Sequence, residues 1–87
     1  MQCSIEISLY PLRDDYLPPI DAFIAALGEA GDIEFEVGPM STRIHGDYDR
    51  VMAVVTEAMR ESLERGRGAF VMKILGIDAR APHRRSE

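Results

Sequence analysis

The sequence predicts a small α+β domain whose strands and helices follow one another in the order β-α-β-β-α-β. Apolar and polar residues alternate from Cys3 to Tyr10, which is the period of a strand with one buried face. Two later segments, beginning near Ile20 and Val51, repeat apolar residues at the i, i+3, i+4 spacing of an amphipathic helix. Two short runs separated by Gly38-Pro39 lie between these helices, and a last apolar run follows the second helix.

The first strand and the first helix are separated by a polar connection, residues 12–17. The strand places Ser4, Glu6, Ser8 and Tyr10 on its polar face, and Pro11 ends it because proline has no N–H to donate. The first helix is predicted over about residues 18–30. Pro18-Pro19 suits its first turn, Asp21 is expected to lie there too, and Gly31 is expected to cap its end.

The next two strands are predicted to form an antiparallel hairpin over residues 33–37 and 40–45, because Gly38-Pro39 is a short connection. Asp47 and Asp49 suit the start of the second helix, and Gly66 or Gly68 its end. The last strand is predicted over residues 69–78. Both its faces are apolar apart from Lys73, so we expect a central position in the sheet or a second covering layer.

These elements predict a ferredoxin-like sandwich, a four-stranded antiparallel sheet with two helices on one face. The domain is expected to span residues 1–79. The other sheet face has no cover from its own chain, so its polar and aromatic side chains are expected to be solvated, to mediate oligomerisation or to form a ligand floor. We look for function on this open face.

Size and charge exclude several classes of protein. A chain of 87 residues is near the lower limit for one independent core, so oligomerisation is expected. The net charge of −5 argues against nucleic-acid binding, and no apolar run is long enough to span a membrane. A single cysteine and the absence of a signal-peptide pattern favour the cytoplasm. Residues 80–87 are expected to form a basic, flexible tail.

No catalytic or metal-binding motif is apparent in the sequence. His45 and His83 are the only histidines, Cys3 lies on an apolar strand face, and Gly66-Arg67-Gly68 matches no phosphate-binding loop. Carboxylates remain: Glu34 and Glu36 share a face of one strand, and Glu6 lies on another. They form either an ordinary solvated face or a pocket for a cation or an amino-substituted heterocycle, which an ionised carboxylate suits as an acceptor. Ser41 and Thr42 are candidates for further hydrogen bonds, and Tyr10 or Phe35 for a stacking surface.

Four segments together resemble the thiamine-binding protein family (YkoF-like, UPF0045). These are Ile5-Glu6-Ile7-Ser8-Leu9-Tyr10-Pro11, Phe35-Glu36-Val37-Gly38-Pro39-Met40-Ser41-Thr42, Gly46, and the closing Lys73-Ile74 to Asp78-Ala79-Arg80. The resemblance implies a ferredoxin-like domain that assembles through its sheets into a homodimer or homotetramer. It also implies a non-enzymatic, cytoplasmic role in binding thiamine or its hydroxymethylpyrimidine moiety, with no cofactor.

Carried over position by position, the family motif falls on Glu6, Ser8, Glu36, Gly38, Pro39, Met40 and Thr42. We expect Glu36 or Glu6 to bind the aminopyrimidine, Thr42 and Ser8 to add polar contacts, and Gly38-Pro39 to shape the wall. With Tyr10 and Ser41, the candidate ligand-binding residues are Glu6, Ser8, Tyr10, Glu36, Met40, Ser41 and Thr42. Arg43 departs from the resemblance, since relatives usually have an apolar residue there; it places a cation near the site or forms an intersubunit ion pair. The alternative is an assembling protein whose interface consumes the open face and leaves no pocket.

Overall fold

The computed structural model describes residues 1–80 and contains the predicted elements in the predicted order. The strands are β1 (Gln2–Pro11), β2 (Glu34–Val37), β3 (Thr42–Asp47) and β4 (Gly68–Leu75), and the helices are α1 (Leu17–Glu29) and α2 (Tyr48–Arg65). All strand pairs are antiparallel, in the order β2-β3-β1-β4. The ferredoxin-like prediction is therefore confirmed.

β4 does not take the central position that was one of its two predicted alternatives; the other, a second covering layer, stays a prediction. The strand lies at an edge of the sheet, because β1 pairs with β3 on its other side. Phe70 and Met72 pack against the core, whereas Val71 and Leu75 are exposed on the opposite face of the strand. The strand ends at Leu75 rather than at residue 78. An apolar pattern on both faces therefore did not mark a central strand in this chain.

The core lies between the sheet and the two helices. It consists of Cys3, Ile5, Ile7, Phe23, Leu27, Ile44, Val51, Val55 and Ala58. Burying one valine, leucine, isoleucine or phenylalanine side chain stabilises the fold by about 1.5–3 kcal/mol. Burial also raises the pKa of the Cys3 thiol, which fits a packed side chain rather than a nucleophile.

The helix ends follow most of the predicted signals. The side chain of Asp47 caps α2 by accepting a hydrogen bond from the Arg50 backbone N–H at 3.4 Å. Gly31, just beyond α1, has a φ of 76°, the left-handed conformation that glycine adopts most easily. Asp21 was predicted in the first turn of α1, but the helix begins at Leu17 and has no acidic residue in that turn. No helix in residues 1–80 is long and apolar enough to cross a membrane.

Candidate ligand-binding site

A row of alternating charges crosses the open face of the sheet. In the strand register, Glu36 pairs with Arg43, Arg43 with Glu6, and Glu6 with Lys73. Arg43 Nη2 lies 3.6 Å from a Glu36 carboxylate oxygen, and Lys73 Nζ lies 3.5 Å from Glu6 Oε1. Exposed pairs of this kind are each worth about 1 kcal/mol or less, so the carboxylates remain available to a ligand.

Glu6 is held in its ionised form. The Ser41 hydroxyl donates to Glu6 Oε2 at 3.0 Å, and this hydrogen bond, followed by the nearby Lys73 ammonium, lowers the pKa of Glu6. An ionised carboxylate only accepts hydrogen bonds, so it suits an amine or a ring N–H. Glu6 is therefore a hydrogen-bond acceptor on the open face.

The turn between β2 and β3 is fastened to β1 beside Glu6. Within the turn, the Gly38 backbone N–H donates to the Ser41 carbonyl at 2.9 Å. Ser8 on β1 donates its hydroxyl to the Met40 carbonyl at 3.3 Å. Met40 and Ser41 therefore belong to the turn, and β3 begins at Thr42 rather than at residue 40.

A small cavity of about 120 Å³ lies beneath this turn, between β1 and α1. Three hydroxyl-bearing residues line it, namely Ser8, Ser41 and the buried Thr42. The rest of its lining is mostly apolar and consists of Ile7, Leu9, Ile20, Phe23, Ile24, Val37, Gly38, Pro39 and Met40. Such a lining is typical of sites that enclose an apolar ring and orient it by a few polar contacts.

The structure brings part of the predicted site together. Met40 and Ser41 lie in the β2–β3 turn, Glu6, Ser8 and Thr42 lie beside it, and Gly38-Pro39 forms part of the cavity wall. Thr42 reaches the cavity from the helix-covered side of β3, so the open face alone does not contain the whole set. The Met40 side chain is 88% exposed at the turn.

The other predicted residues lie apart from this group. Glu36 shares the open face with Glu6, but Arg43 lies between them, and two strand spacings separate their backbones by roughly 10 Å. Tyr10 pairs with Ala69, four residues further along β1 than Glu6, or roughly 13 Å away. Phe35 packs against the core and offers no stacking surface on the open face. Arg43 forms its ion pair with Glu36 of the same chain.

A second group of contacts on the open face was not predicted. Residues 76–80 turn back over the sheet after β4, and Ser4 holds them in place. The Ser4 hydroxyl donates to the Ile77 carbonyl at 3.0 Å and accepts from the Ala79 N–H at 2.8 Å. His45 Nδ1 lies 2.9 Å from the same oxygen, and both Ser4 and His45 are buried. Strand periodicity carries no signal of a chain segment that covers one corner of a sheet.

An ion-pair chain extends this corner to β2. Arg80 pairs with Asp78 and also with Glu34. Hydrogen bonds from Arg80 lower the pKa of Asp78 to about 2. Arg80 was predicted to begin the flexible tail, yet it is tied to two carboxylates; the rest of that predicted tail, residues 81–87, lies outside the described residues.

Beside this corner, a groove of about 420 Å³ runs along the open face. Glu6, Arg43 and Lys73 contribute its charged groups, and His45, Leu75 and Ala79 form its other end. Glu6 lines this groove, and its Ser41 partner lines the smaller cavity beneath the turn. Within residues 1–80, no three histidine, cysteine or carboxylate side chains converge as a metal site would require.

Fold and site together define a ferredoxin-like domain with an ionised carboxylate beside a ring-sized, hydroxyl-lined cavity. The chain belongs to the thiamine-binding protein family, since the model of that family matches residues 5–86. The family's description names a binding protein rather than an enzyme. This confirms the resemblance that the sequence motifs indicated.

The chain is also similar to one relative in sequence and to two solved structures in fold. The chain is 30% identical over 78 residues to the UPF0045 protein CPE1503 of Clostridium perfringens, an alignment that covers 87% of this chain and 80% of the relative. The fold is similar to that of protein SP2199 from Streptococcus pneumoniae, with a TM-score of 0.82, 24% identity, and 93% and 92% of the two chains covered. It is also similar to a candidate thiamine biosynthesis/salvage protein from Thermotoga maritima, with a TM-score of 0.75, 23% identity, and 85% and 82% covered.

Proposed function

We propose that this protein is a non-enzymatic, cytoplasmic binding protein for thiamine or its hydroxymethylpyrimidine moiety. One observation carries the proposal: the cavity beneath the β2–β3 turn, with its three hydroxyl-bearing residues, is joined to the ionised Glu6 carboxylate by the hydrogen bond from Ser41. The family description and the thiamine-related description of the Thermotoga maritima protein support this choice of ligand.

The chemistry of an aminopyrimidine fits this cavity. Its ring is flat and apolar on both faces, and a dry, apolar protein cavity of about 150 Å³ is known to hold benzene. The cavity here, at about 120 Å³, is of similar size. The exocyclic amine would donate to Glu6, while Thr42 and Ser8 would bond the ring nitrogens or the hydroxymethyl group. Glu36 would contribute to the charge around the site without contacting the ring.

The charge pattern favours recognition of the pyrimidine over the thiazolium part of thiamine. Arg43 and Lys73 flank Glu6 on the neighbouring strands, so a positive ring centred on Glu6 would meet two like charges. A neutral pyrimidine would meet no such repulsion. In thiamine the positive ring would then extend away from Glu6, toward solvent or a second subunit.

Assembly through the sheets forms part of the proposal. β4 has only one neighbouring strand, and Val71 and Leu75 are 54% and 50% exposed on the face that the helices leave open. A second copy placed on this edge or face would cover these side chains and close the open-face groove. We therefore propose a homodimer or homotetramer with a small-molecule ligand and with no role for nucleic acid or membrane. The alternative is the same assembly without a ligand.

Calorimetric titration with hydroxymethylpyrimidine and with thiamine tests the proposal. The Thr42→Val variant removes a buried hydroxyl at nearly constant shape, and Glu6→Gln removes the acceptor charge. Each loss of a hydrogen bond is expected to weaken binding by about tenfold. The matched controls, Thr56→Val and Glu57→Gln, change exposed positions on α2 and should leave binding unchanged. Unchanged binding in both folded site variants would contradict the proposed site, and no heat with either ligand would favour assembly alone.

A further inference from the structure

A cavity with an apolar floor and a basic rim lies at the end of the molecule where α1 begins and α2 ends. It has a volume of about 270 Å³ and lies between β1, the start of α1 and the last turn of α2. Its floor is apolar and is formed by Leu9, Pro11, Pro18, Pro19 and Ala22. Drug-sized ligand pockets begin near 300 Å³, so this volume suits one ring or a similarly compact apolar group.

The rim of this cavity is strongly basic. Arg13 comes from the β1–α1 connection, Arg65 from the last turn of α2, and Arg67 from the loop before β4. No carboxylate lines the cavity, although Asp and Glu outnumber Lys and Arg by 15 to 10 in the chain. Such a concentration of cations in an acidic protein marks a local positive potential.

Few carboxylates compete for these three guanidinium groups. Arg13 lies 3.8 Å from Asp15, a distance at the outer limit of an ion pair between two exposed side chains. Within residues 1–80, Arg65 and Arg67 make no ion pair with a carboxylate. A guanidinium with unoccupied donors binds carboxylate, phosphate or sulfonate oxygens in a bidentate geometry.

The backbone holds the rim together. The Leu12 N–H donates to the Arg67 carbonyl at 3.2 Å, so the strand-to-helix connection that carries Arg13 is tied to the loop that carries Arg67. Pro11 pairs with Gly68 at the end of the β1–β4 ladder. The Gly66 N–H donates to the Ser62 carbonyl at 3.3 Å and ends α2 beside Arg65. These backbone contacts fix the positions from which the three arginine side chains extend.

One feature opposes an anion in this cavity. The carboxyl end of α2 carries a partial negative charge equivalent to about half an elementary charge. Arg65 lies in that last turn and offsets it, and Asp15 offsets part of the charge of Arg13, which leaves Arg67 and the rest of Arg13 as an excess of positive charge. The net field at the rim therefore attracts an anion.

We propose that this cavity is a binding site for a small organic anion, a compact apolar ring that carries a phosphate, sulfonate or carboxylate group. The ring lies on the proline-rich floor, and the anionic group faces the three arginines. The site does not depend on the function proposed above. Leu9 lines both this cavity and the one beneath the β2–β3 turn, but the two cavities share no polar residue.

The test uses phenyl phosphate as the probe, with inorganic phosphate and phenol as its two halves. Each is titrated into the isotope-labelled full-length protein while backbone amide shifts are recorded by NMR. Phenyl phosphate is expected to shift the amides of Arg13, Ala22 and Arg67 and to bind at least about tenfold more tightly than either half. The affinity is expected to fall as salt is raised.

Variants distinguish binding at this cavity from non-specific attraction of the anion to surface cations. The double variant Arg65→Gln/Arg67→Gln changes only exposed side chains and is expected to weaken binding by about tenfold. Arg60→Gln, which removes an exposed charge on the same helix, should change it by less than about twofold. Ala22→Leu fills the apolar floor, so it should weaken the binding of phenyl phosphate but leave the binding of inorganic phosphate unchanged. The proposal would be overturned if Arg60→Gln and the double variant weakened phenyl phosphate binding equally. It would also be overturned if phenyl phosphate shifted only backbone amides on the open face.

Discussion

The Ser41 hydroxyl lies 3.0 Å from Glu6 Oε2 and joins the β2–β3 turn to the central strand β1. This contact links the open-face groove, which Glu6 lines, to the cavity beneath the turn, which Ser41 lines. It also sets the charge of the carboxylate, because the hydrogen bond from Ser41 is the largest cause of the lowered pKa of Glu6. The geometry of the turn and the chemistry of the candidate site therefore depend on one another.

Removal of this hydrogen bond should change the titration of Glu6. In Ser41→Ala we expect the pKa of Glu6 to rise toward its ordinary value, while Lys73 still keeps it somewhat low. NMR titration of the Glu6 side-chain carboxyl carbon measures this directly. Thr56→Ala, an exposed change on α2, serves as the control. A Glu6 pKa that is the same in wild type and Ser41→Ala would show that the hydroxyl does not stabilise the carboxylate.

Ser4→Ala should release the segment of residues 76–80. The substitution leaves the Ala79 N–H, the Ile77 carbonyl and His45 Nδ1 without their shared partner. Because Ser4 and His45 are buried, we expect a loss of about 1–3 kcal/mol in the free energy of unfolding, measured with urea. The Ala79 amide should also exchange faster with solvent. Ser8→Ala, which loses one hydrogen bond of 3.3 Å, should cost about 0.5 kcal/mol or less. Equal losses in the two variants would contradict this account.

Asp78 should make stability depend on acid pH. Its pKa is lowered to about 2 by Arg80, so the folded state binds this proton less readily than the unfolded chain does. The stabilisation is therefore fully present above the ordinary aspartate pKa and is lost as the pH falls toward about 2. We expect Asp78→Asn to flatten the decrease in unfolding free energy between about pH 5 and pH 2. Asp14→Asn, in the exposed β1–α1 connection, is the control, and identical pH profiles for wild type and Asp78→Asn would contradict the prediction.

Gly46 should not tolerate a side chain. It has a φ of 154°, and a Cβ there would lie 2.9 Å from Val51 Cγ2 in the buried core. Gly46→Ala should therefore destabilise the protein by about 1–3 kcal/mol through overpacking and backbone strain. Gly76→Ala is the matched control, because a Cβ at that position meets no atom within 4 Å. Thermal unfolding of the two variants provides the comparison, and equal midpoints would show that the contact with Val51 has no cost.

Local patterns were sufficient to predict the fold. Period-two alternation identified β1, and the apolar stripes of α1 and α2 identified both helices within a residue or two of their observed ends. The position of β4 in the strand order of the sheet could not be predicted in the same way. Its apolar residues at 71 and 75 suggested burial on both faces, but sheet order is decided by which strands β1 pairs with.

The candidate site was predicted only in part, for a physical reason. The residues that meet at the β2–β3 turn are close in sequence or lie on adjacent paired strands, so the hairpin brings them to Ser8 and Glu6. Ser4 and His45 lie on the open face as the register requires, yet they are buried by a segment more than 30 residues further along the chain. The arginine-rimmed cavity likewise combines three separate elements, which no single motif contains.

Native mass spectrometry of the purified protein, alone and with hydroxymethylpyrimidine or thiamine, tests the central claim most directly. The account predicts a homodimer or homotetramer whose mass increases by one ligand for each chain, and a smaller bound fraction for Glu6→Gln under the same conditions. An oligomer whose mass is unchanged by saturating amounts of either compound would contradict the ligand assignment. It would leave assembly as the function of the open face.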